Sequence, residues 1–255
     1  MKENNWFDPF YIQSHLNEEE SNIQKNVRDF CNNELKPTVV ERNRKNEFDQ
    51  SLYPKFGSLG VLGQTVKTHG GSGTSNLAYG LVAYEFEKID SSYRSSISVQ
   101  SSLVIHPINE FGSQEQKDKY LPPLIKGEKI GCFGLTESEA GSDPTSMKTS
   151  FKKTKDGYIL NGSKNWITNA PIADIFIIWA IEENKDHKSI KGFIIEKNTE
   201  GLNTSTIENK TSLKISPTGQ IILNNVFVPN NLCLENTEGW KSVFSCLNKA
   251  RFGIS

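Results

Sequence analysis

The chain has 255 residues, 35% of them hydrophobic and 23% charged, enough for one large or two ordinary domains with buried cores. Its 29 basic and 30 acidic residues are mixed along the chain and leave a formal net charge of −1, so no basic stripe tracks a phosphate backbone and nucleic acid is not an expected partner. No apolar run reaches the length of a membrane span, and the opening MKENNWFDPF has neither a signal nor a transit pattern, which points to the cytoplasm, or to the mitochondrial matrix in a eukaryote.

In chain order, the first half reads as helices. Asn17 stands where an N-cap belongs, Glu18 to Glu20 supply first-turn acids, Ile23, Val27, Phe30 and Leu35 recur at helical spacing, and Pro37 stops the run. A second helix is expected over 75–89, with Leu77, Leu81 and Val82 on its apolar side. A third covers 92–109, bent near Pro107. The fourth opens on the capping box Ser113-Gln114-Glu115-Gln116 and closes at Gly127. From Lys129 the pattern changes to short β-rich segments between turn residues, the mark of an antiparallel sheet or barrel. Tyr158 to Leu160, Asn161-Gly162, then Lys164 to Thr168 read as a hairpin, because Asn-Gly accepts positive φ at both turn positions. Further strands are expected at 175–180, 192–196 and 220–228, with a solvated loop over 182–189. Trp240, Val243, Phe244 and Leu247 then recur at helical spacing up to the chain's last residue, Ser255.

The expected fold class is therefore α+β and multidomain: an N-terminal all-α helical bundle over 1–128, a middle antiparallel β-barrel over 129–236, and over 237–255 the first helix of a truncated C-terminal helical domain. The four cysteines, Cys31, Cys132, Cys233 and Cys246, form no CxxC pair and read as buried thiols of a reducing compartment. The four histidines, His15, His69, His106 and His187, lack HExxH spacing, so no metal site is expected. The Gly-rich stretch His69 to Gly73 lacks GxGxxG spacing and reads as a loop.

The most informative segment is GLTESEAGSDPTS, Gly134 to Ser146, a strand entering a small-residue loop. Such a loop exposes backbone N–H groups and hydroxyls that suit the polar edge of an isoalloxazine and a pyrophosphate, although by itself it reads first as an ordinary Gly/Ser turn. A second segment is NGSKNWITN, Asn161 to Asn169; a third is CLNKARFG, Cys246 to Gly253. Together, in this order and spacing, they resemble the signature segments of the acyl-CoA dehydrogenase family, with likeness from about Trp6 to Gly253. Asp90-Ser91-Ser92-Tyr93-Arg94-Ser95, followed by Ser98 to Ser102, resembles the family's glutaryl-CoA subgroup. Phe252, where tyrosine is common, and Glu139-Ala140, in place of an Asn-Ser pair, depart from it.

The resemblance implies FAD as cofactor. Phe133, Leu135 and Thr136 would line it, Gly141, Ser142 and Ile167 would adjoin it, Trp166 would cover its ring, and the Thr168 hydroxyl would bond to N5. It implies an acyl-CoA substrate lying against Ser142, Phe244, Leu247, Asn248 and Arg251, with Arg94, tuned by Glu87 and beside Ser95, meeting the distal carboxylate of glutaryl-CoA. A guanidinium fork suits that task through paired charge-assisted hydrogen bonds. The implied reaction removes the α-proton of the thioester while the β-hydride passes to the flavin; a glutaryl chain then loses carbon dioxide to give crotonyl-CoA. A homotetramer and an electron-transferring flavoprotein as acceptor are further implications. The family's catalytic glutamate belongs to a third domain, so no catalytic residue is named in this chain, which is expected to be inactive alone and to hold FAD weakly. Two alternatives stay open: a short-chain dehydrogenase or oxidase for monocarboxylic acyl-CoA, and a non-catalytic module binding FAD or a CoA ligand.

Overall fold

The computed structural model describes Asp8 and residues 10–185 and 189–255. The opening segment with Trp6, and residues 186–188 with His187, lie outside the described residues.

The N-terminal part is a bundle whose helices start where capping chemistry places them. Helix α1 (Glu18–Phe30) opens on the reciprocal Asn17–Glu20 capping box and runs into a π-helical turn, Cys31–Leu35, just before Pro37. Two short helices that periodicity does not reveal follow, α2 (Val39–Lys45) and α3 (Leu52–Ser58). Ser75 caps α4 (Asn76–Glu87), whose buried face is formed by Ala78, Tyr79, Leu81, Val82 and Phe86. Leu77, expected on that face, is instead 44% exposed, because it lies off the line that Ala78 and Val82 turn toward the core.

The expected third helix is one continuous helical path of three pieces: α5 (Ser91–Ser98), a π-helical stretch Val99–Ile105, and α6 (His106–Phe111). It continues past Pro107, since the wider turn just before that residue leaves room for a ring that clashes with the i−4 carbonyl of a regular helix. The last bundle helix, α7 (Gln114–Ile125), has the predicted Ser113–Gln116 box and ends with Gly127 at φ 72°.

The middle part is a seven-stranded sheet: β1 (Gly131–Gly134), β2 (Ser150–Lys153), β3 (Gly157–Thr168), β4 (Ile175–Glu182), β5 (Ile190–Glu196), β6 (Leu202–Thr206) and β7 (Thr218–Pro229). The order is β1-β4-β2-β3-β7-β6, with β5 also paired to β4. The sheet is curled and mixed, which corrects the expectation of an antiparallel barrel: β4 pairs in parallel with β1 and with β2. A parallel pair needs a long crossover, and here the β2–β3 hairpin and the turn Ala170–Ile172 supply it.

Asn161-Gly162 is not a hairpin turn either. β3 passes straight through it and stays paired with β7, with a register shift between Leu160 and Gly162. Three residues of β7 there oppose two of β3, so the extra residue belongs to β7; Gly162 sits at φ 143°, and a Cβ there would meet Thr149 Cα at 2.7 Å, so the glycine serves a close approach.

Two cores lie on opposite faces of the sheet. Phe133, Ile177 and Trp179 face the helices and join one cluster with Phe56, Phe86, Tyr93 and Leu121. Cys132, Phe176 and Ile178 alternate to the other face and pack with Phe151, Leu160 and Phe193. β4 is thus buried on both sides over Ile175–Ala180, which explains its unbroken apolar run. Buried Gln100 ties the halves together: its Oε1 accepts from the Gly131 N–H at 2.8 Å, and its Nε2 donates to Leu124 O at 3.0 Å and Lys129 O at 2.8 Å. The chain closes with α8 (Trp240–Phe252) at its predicted place. All four cysteines are buried free thiols, and no helix among the described residues is long and apolar enough to cross a membrane.

Candidate functional site

One cleft gathers residues from all three parts of the chain. Phe133 comes from β1, Leu135 and Thr136 from the loop just after it, and Trp166, Ile167 and Thr168 from the end of β3; Val99 and Leu103 come from the π-helical stretch and Leu247 from α8. Six of the eight residues expected to hold the cofactor therefore meet on one surface. The other two, Gly141 and Ser142, are exposed on the following loop and do not line the cleft. Val99 and Leu103 are additions the sequence did not suggest; their four-residue spacing on a helix near β1 is the only signal they leave.

Trp166 is the most unusual residue of the cleft. Its side chain is 59% exposed, so it is no member of the barrel core, and its backbone is left-handed at φ 60°. For a bulky residue that conformation costs about 1–2 kcal/mol, and it arises at a second β3 register shift, between Lys164 and Ile167. By strict alternation Trp166 would point inward beside Lys164; the bulge turns the indole out and Ile167 in.

Beneath this surface lies an ion pair that sequence reasoning missed, although both residues stand in the quoted motifs. Lys164 is fully buried, and its Nζ donates to Glu137 Oε1 at 2.9 Å and to Leu135 O at 3.0 Å. Glu137 accepts in turn from the Lys148 N–H at 2.7 Å and the Thr149 N–H at 2.9 Å. The pair thus fixes the backbone on both sides of Thr136. Burial pulls the Lys164 ammonium down to about 8, against the opposing attraction of Glu137. Burial pushes the Glu137 carboxyl up, but Lys164 and the Thr149 and Lys148 bonds outweigh it and hold the group below its ordinary range.

The expected substrate residues divide into separate groups. Arg94 donates through Nε to Glu87 Oε2 at 2.8 Å, so the structure brings these two together, outside the cleft lining. The Arg94 side chain is only 14% exposed, and among the described residues its two terminal nitrogens have no hydrogen bond. Burial acts to raise the Glu87 carboxyl, while bonds from Ser91 and Arg94 bring it below its ordinary value. Ser95 is half-buried and lies on the helical line that leads to Val99 and Leu103. On α8 only Leu247 reaches the cleft: Phe244 packs on Trp240 at 5.9 Å between ring centroids, and exposed Asn248 accepts from Arg251 at 3.2 Å. Among the described residues no cluster of three His, Cys, Asp or Glu is placed to hold a metal.

Comparison with known proteins agrees with this layout. Residues 17–128 match the model of the acyl-CoA dehydrogenase N-terminal domain, and residues 132–226 match that of the acyl-CoA dehydrogenase middle domain. The chain is 36% identical over 243 residues to a short-chain specific acyl-CoA dehydrogenase of Clostridium acetobutylicum, covering 94% of this chain and 64% of that protein. A crystal structure of a glutaryl-CoA dehydrogenase from Mycobacterium smegmatis in complex with FADH2 superposes with a TM-score of 0.93 at 40% identity, over 96% of this chain and 62% of the other. Butyryl-CoA dehydrogenase from Megasphaera elsdenii superposes with a TM-score of 0.87 at 35% identity, over 94% and 64%. The chain thus spans a little under two thirds of the relatives it matches.

Proposed function

The chain belongs to the acyl-CoA dehydrogenase family, and from that membership we propose that it forms the flavin- and thioester-binding part of an oxidoreductase acting on acyl-CoA. The observation that carries the proposal is the outward Trp166 indole, held in left-handed backbone beside a cleft whose apolar lining contains the two threonines Thr136 and Thr168. A flat ring system with one polar edge fits this arrangement: Phe133, Leu135 and Ile167 offer apolar contact, the threonines offer hydroxyls, and the indole offers a further face. FAD bound there would supply the acceptor for a β-hydride. Thr136 and Thr168 would orient its polar edge, Trp166 would exclude water, and Ser142 would stand on the exposed loop toward the thioester.

Among the described residues no ionisable side chain lines the cleft, so the base that takes the α-proton would reach it from elsewhere. We place it in the family's C-terminal helical domain, of which 237–255 is proposed as the first helix, after an N-terminal domain over 1–128 and a middle domain over 129–236. Glutaryl-CoA is the proposed substrate, with decarboxylation to crotonyl-CoA. The supporting observation is Arg94, a largely buried cation whose terminal nitrogens stay uncommitted, a fork suited to a carboxylate. The second reading, a monocarboxylic short-chain acyl-CoA, is favoured by the 36% identity to the short-chain specific relative. A homotetramer, an electron-transferring flavoprotein as acceptor, and residence in the cytoplasm or mitochondrial matrix complete the proposal.

Titrating the chain with FAD while following tryptophan emission tests the central claim. Quenching is expected, and Trp166→Ala should weaken binding by about tenfold, the equivalent of one aromatic contact. A chain that stays colourless and unquenched in excess FAD, alone and within a longer polypeptide that adds the third domain, would remove the flavin from the reading.

A further inference from the structure

The two segments that face the cleft, 135–138 and 164–168, are laced together by a residue that does not itself line it. Asn165 donates its backbone N–H to Thr136 O at 2.9 Å. Its side-chain Nδ2 donates to Ser138 Oγ at 3.1 Å, and its Oδ1 accepts from the Trp166 N–H at 3.0 Å. The orientation of the carboxamide follows from chemistry, since a backbone N–H only donates and must face the oxygen, which leaves the nitrogen for the serine.

These bonds sit at the point of strain. The register shift between Lys164 and Ile167 takes Trp166 off the ladder with β7 and leaves its N–H without a strand partner. The neighbouring carboxamide supplies one, the local alternative to a ladder bond that asparagine is suited to offer. Its far end is held by Ser138, so the short link both fixes the left-handed turn under the indole and sets its spacing from Thr136.

We infer that Asn165 is a positioning residue, which acts through Trp166 and Thr136 to hold the indole outward before any ligand arrives. The inference rests on the flavin reading for its purpose, though not for its geometry. A preset indole spares the ordering cost at binding, so its loss lowers ligand affinity without removing a ligand contact.

The test labels the chain with 5-fluorotryptophan, which gives one fluorine resonance for each of four tryptophans; Trp166→Phe assigns the one that matters. Without ligand, Asn165→Ala is expected to shift and broaden the Trp166 resonance, while those of Trp179 and Trp240 stay in place and report an intact fold. Asn165→Asp, which keeps the acceptor oxygen, should return that resonance toward its parent position. Ser138→Ala, a change at an exposed side chain, should displace it partway. FAD affinity should fall by about tenfold in Asn165→Ala, the loss expected when one hydrogen bond's contribution disappears, and recover in Asn165→Asp. A Trp166 resonance unchanged by both Asn165→Ala and Ser138→Ala overturns the inference. Should the parent chain bind no FAD while the resonance still moves, the flavin reading falls and the placement of the indole by Asn165 stands.

Discussion

Replacing Lys164 with methionine is expected to lower the free energy of unfolding by about 3–5 kcal/mol, the cost of breaking a buried ion pair by removing one partner. Lys164 is fully buried and Glu137 is 9% exposed, so the variant leaves a carboxylate inside the protein with two backbone N–H donors and no cation. Adding Glu137→Gln should restore part of the loss, because the amide removes the charge and keeps an acceptor oxygen for one of the two N–H donors, which bond to different oxygens of the carboxylate. Urea unfolding of the parent, the single variant and the double variant measures all three. A single variant within about 1 kcal/mol of the parent would show that water or a rearranged loop compensates, contrary to this account.

The pH dependence has a definite sign. The Glu137 carboxyl titrates below its ordinary value in the folded chain, so its contribution is complete above the ordinary carboxylate range and is lost as pH falls through the lowered folded value. The deficit of the Lys164→Met variant should therefore shrink on acidification. At the other end, Lys164 releases its proton near 8 when folded, against 10.5 for an ordinary lysine, so between these values the unfolded chain holds the extra proton. The parent should gain stability from this group as pH rises through that window.

The second large effect concerns the acyl group. In a flavin-loaded polypeptide that carries the family's whole C-terminal domain, Arg94→Gln is expected to lower kcat/KM for glutaryl-CoA by about 100-fold, roughly 3 kcal/mol, while butyryl-CoA changes by less than about threefold. The guanidinium already gives its Nε to Glu87, and its two terminal nitrogens are the ones left to meet a distal carboxylate. Glutamine offers one neutral donor in their place. Equal losses for both thioesters would reduce Arg94 to a structural ion pair between α4 and α5, and the short-chain monocarboxylic reading would then take precedence.

Much of this architecture was legible in the residue order because it depends on local chemistry. Asn17 with Glu20 and Ser113 with Gln116 form capping boxes within one turn, and Gly127 ends its helix in the left-handed region, all without help from distant parts of the chain. The last helix follows from the spacing of Trp240, Val243 and Leu247. The motif residues Phe133, Leu135, Thr136, Trp166, Ile167 and Thr168 were all named from the sequence, and they do converge.

What the sequence determined by itself is thus the capped starts of α1 and α7, the change from helical to strand periodicity and, through the family resemblance, seven of the nine residues that line the cleft. Only the tertiary structure decided that β4 runs parallel to β1 and β2, that β3 runs unbroken through Asn161-Gly162, and that Lys164 points in while Trp166 points out. The reason is physical: a strand's facing and register are set by its partners, and one extra residue in one strand reverses every side chain beyond it. No window of β3 alone contains the strand against which that extra residue is counted.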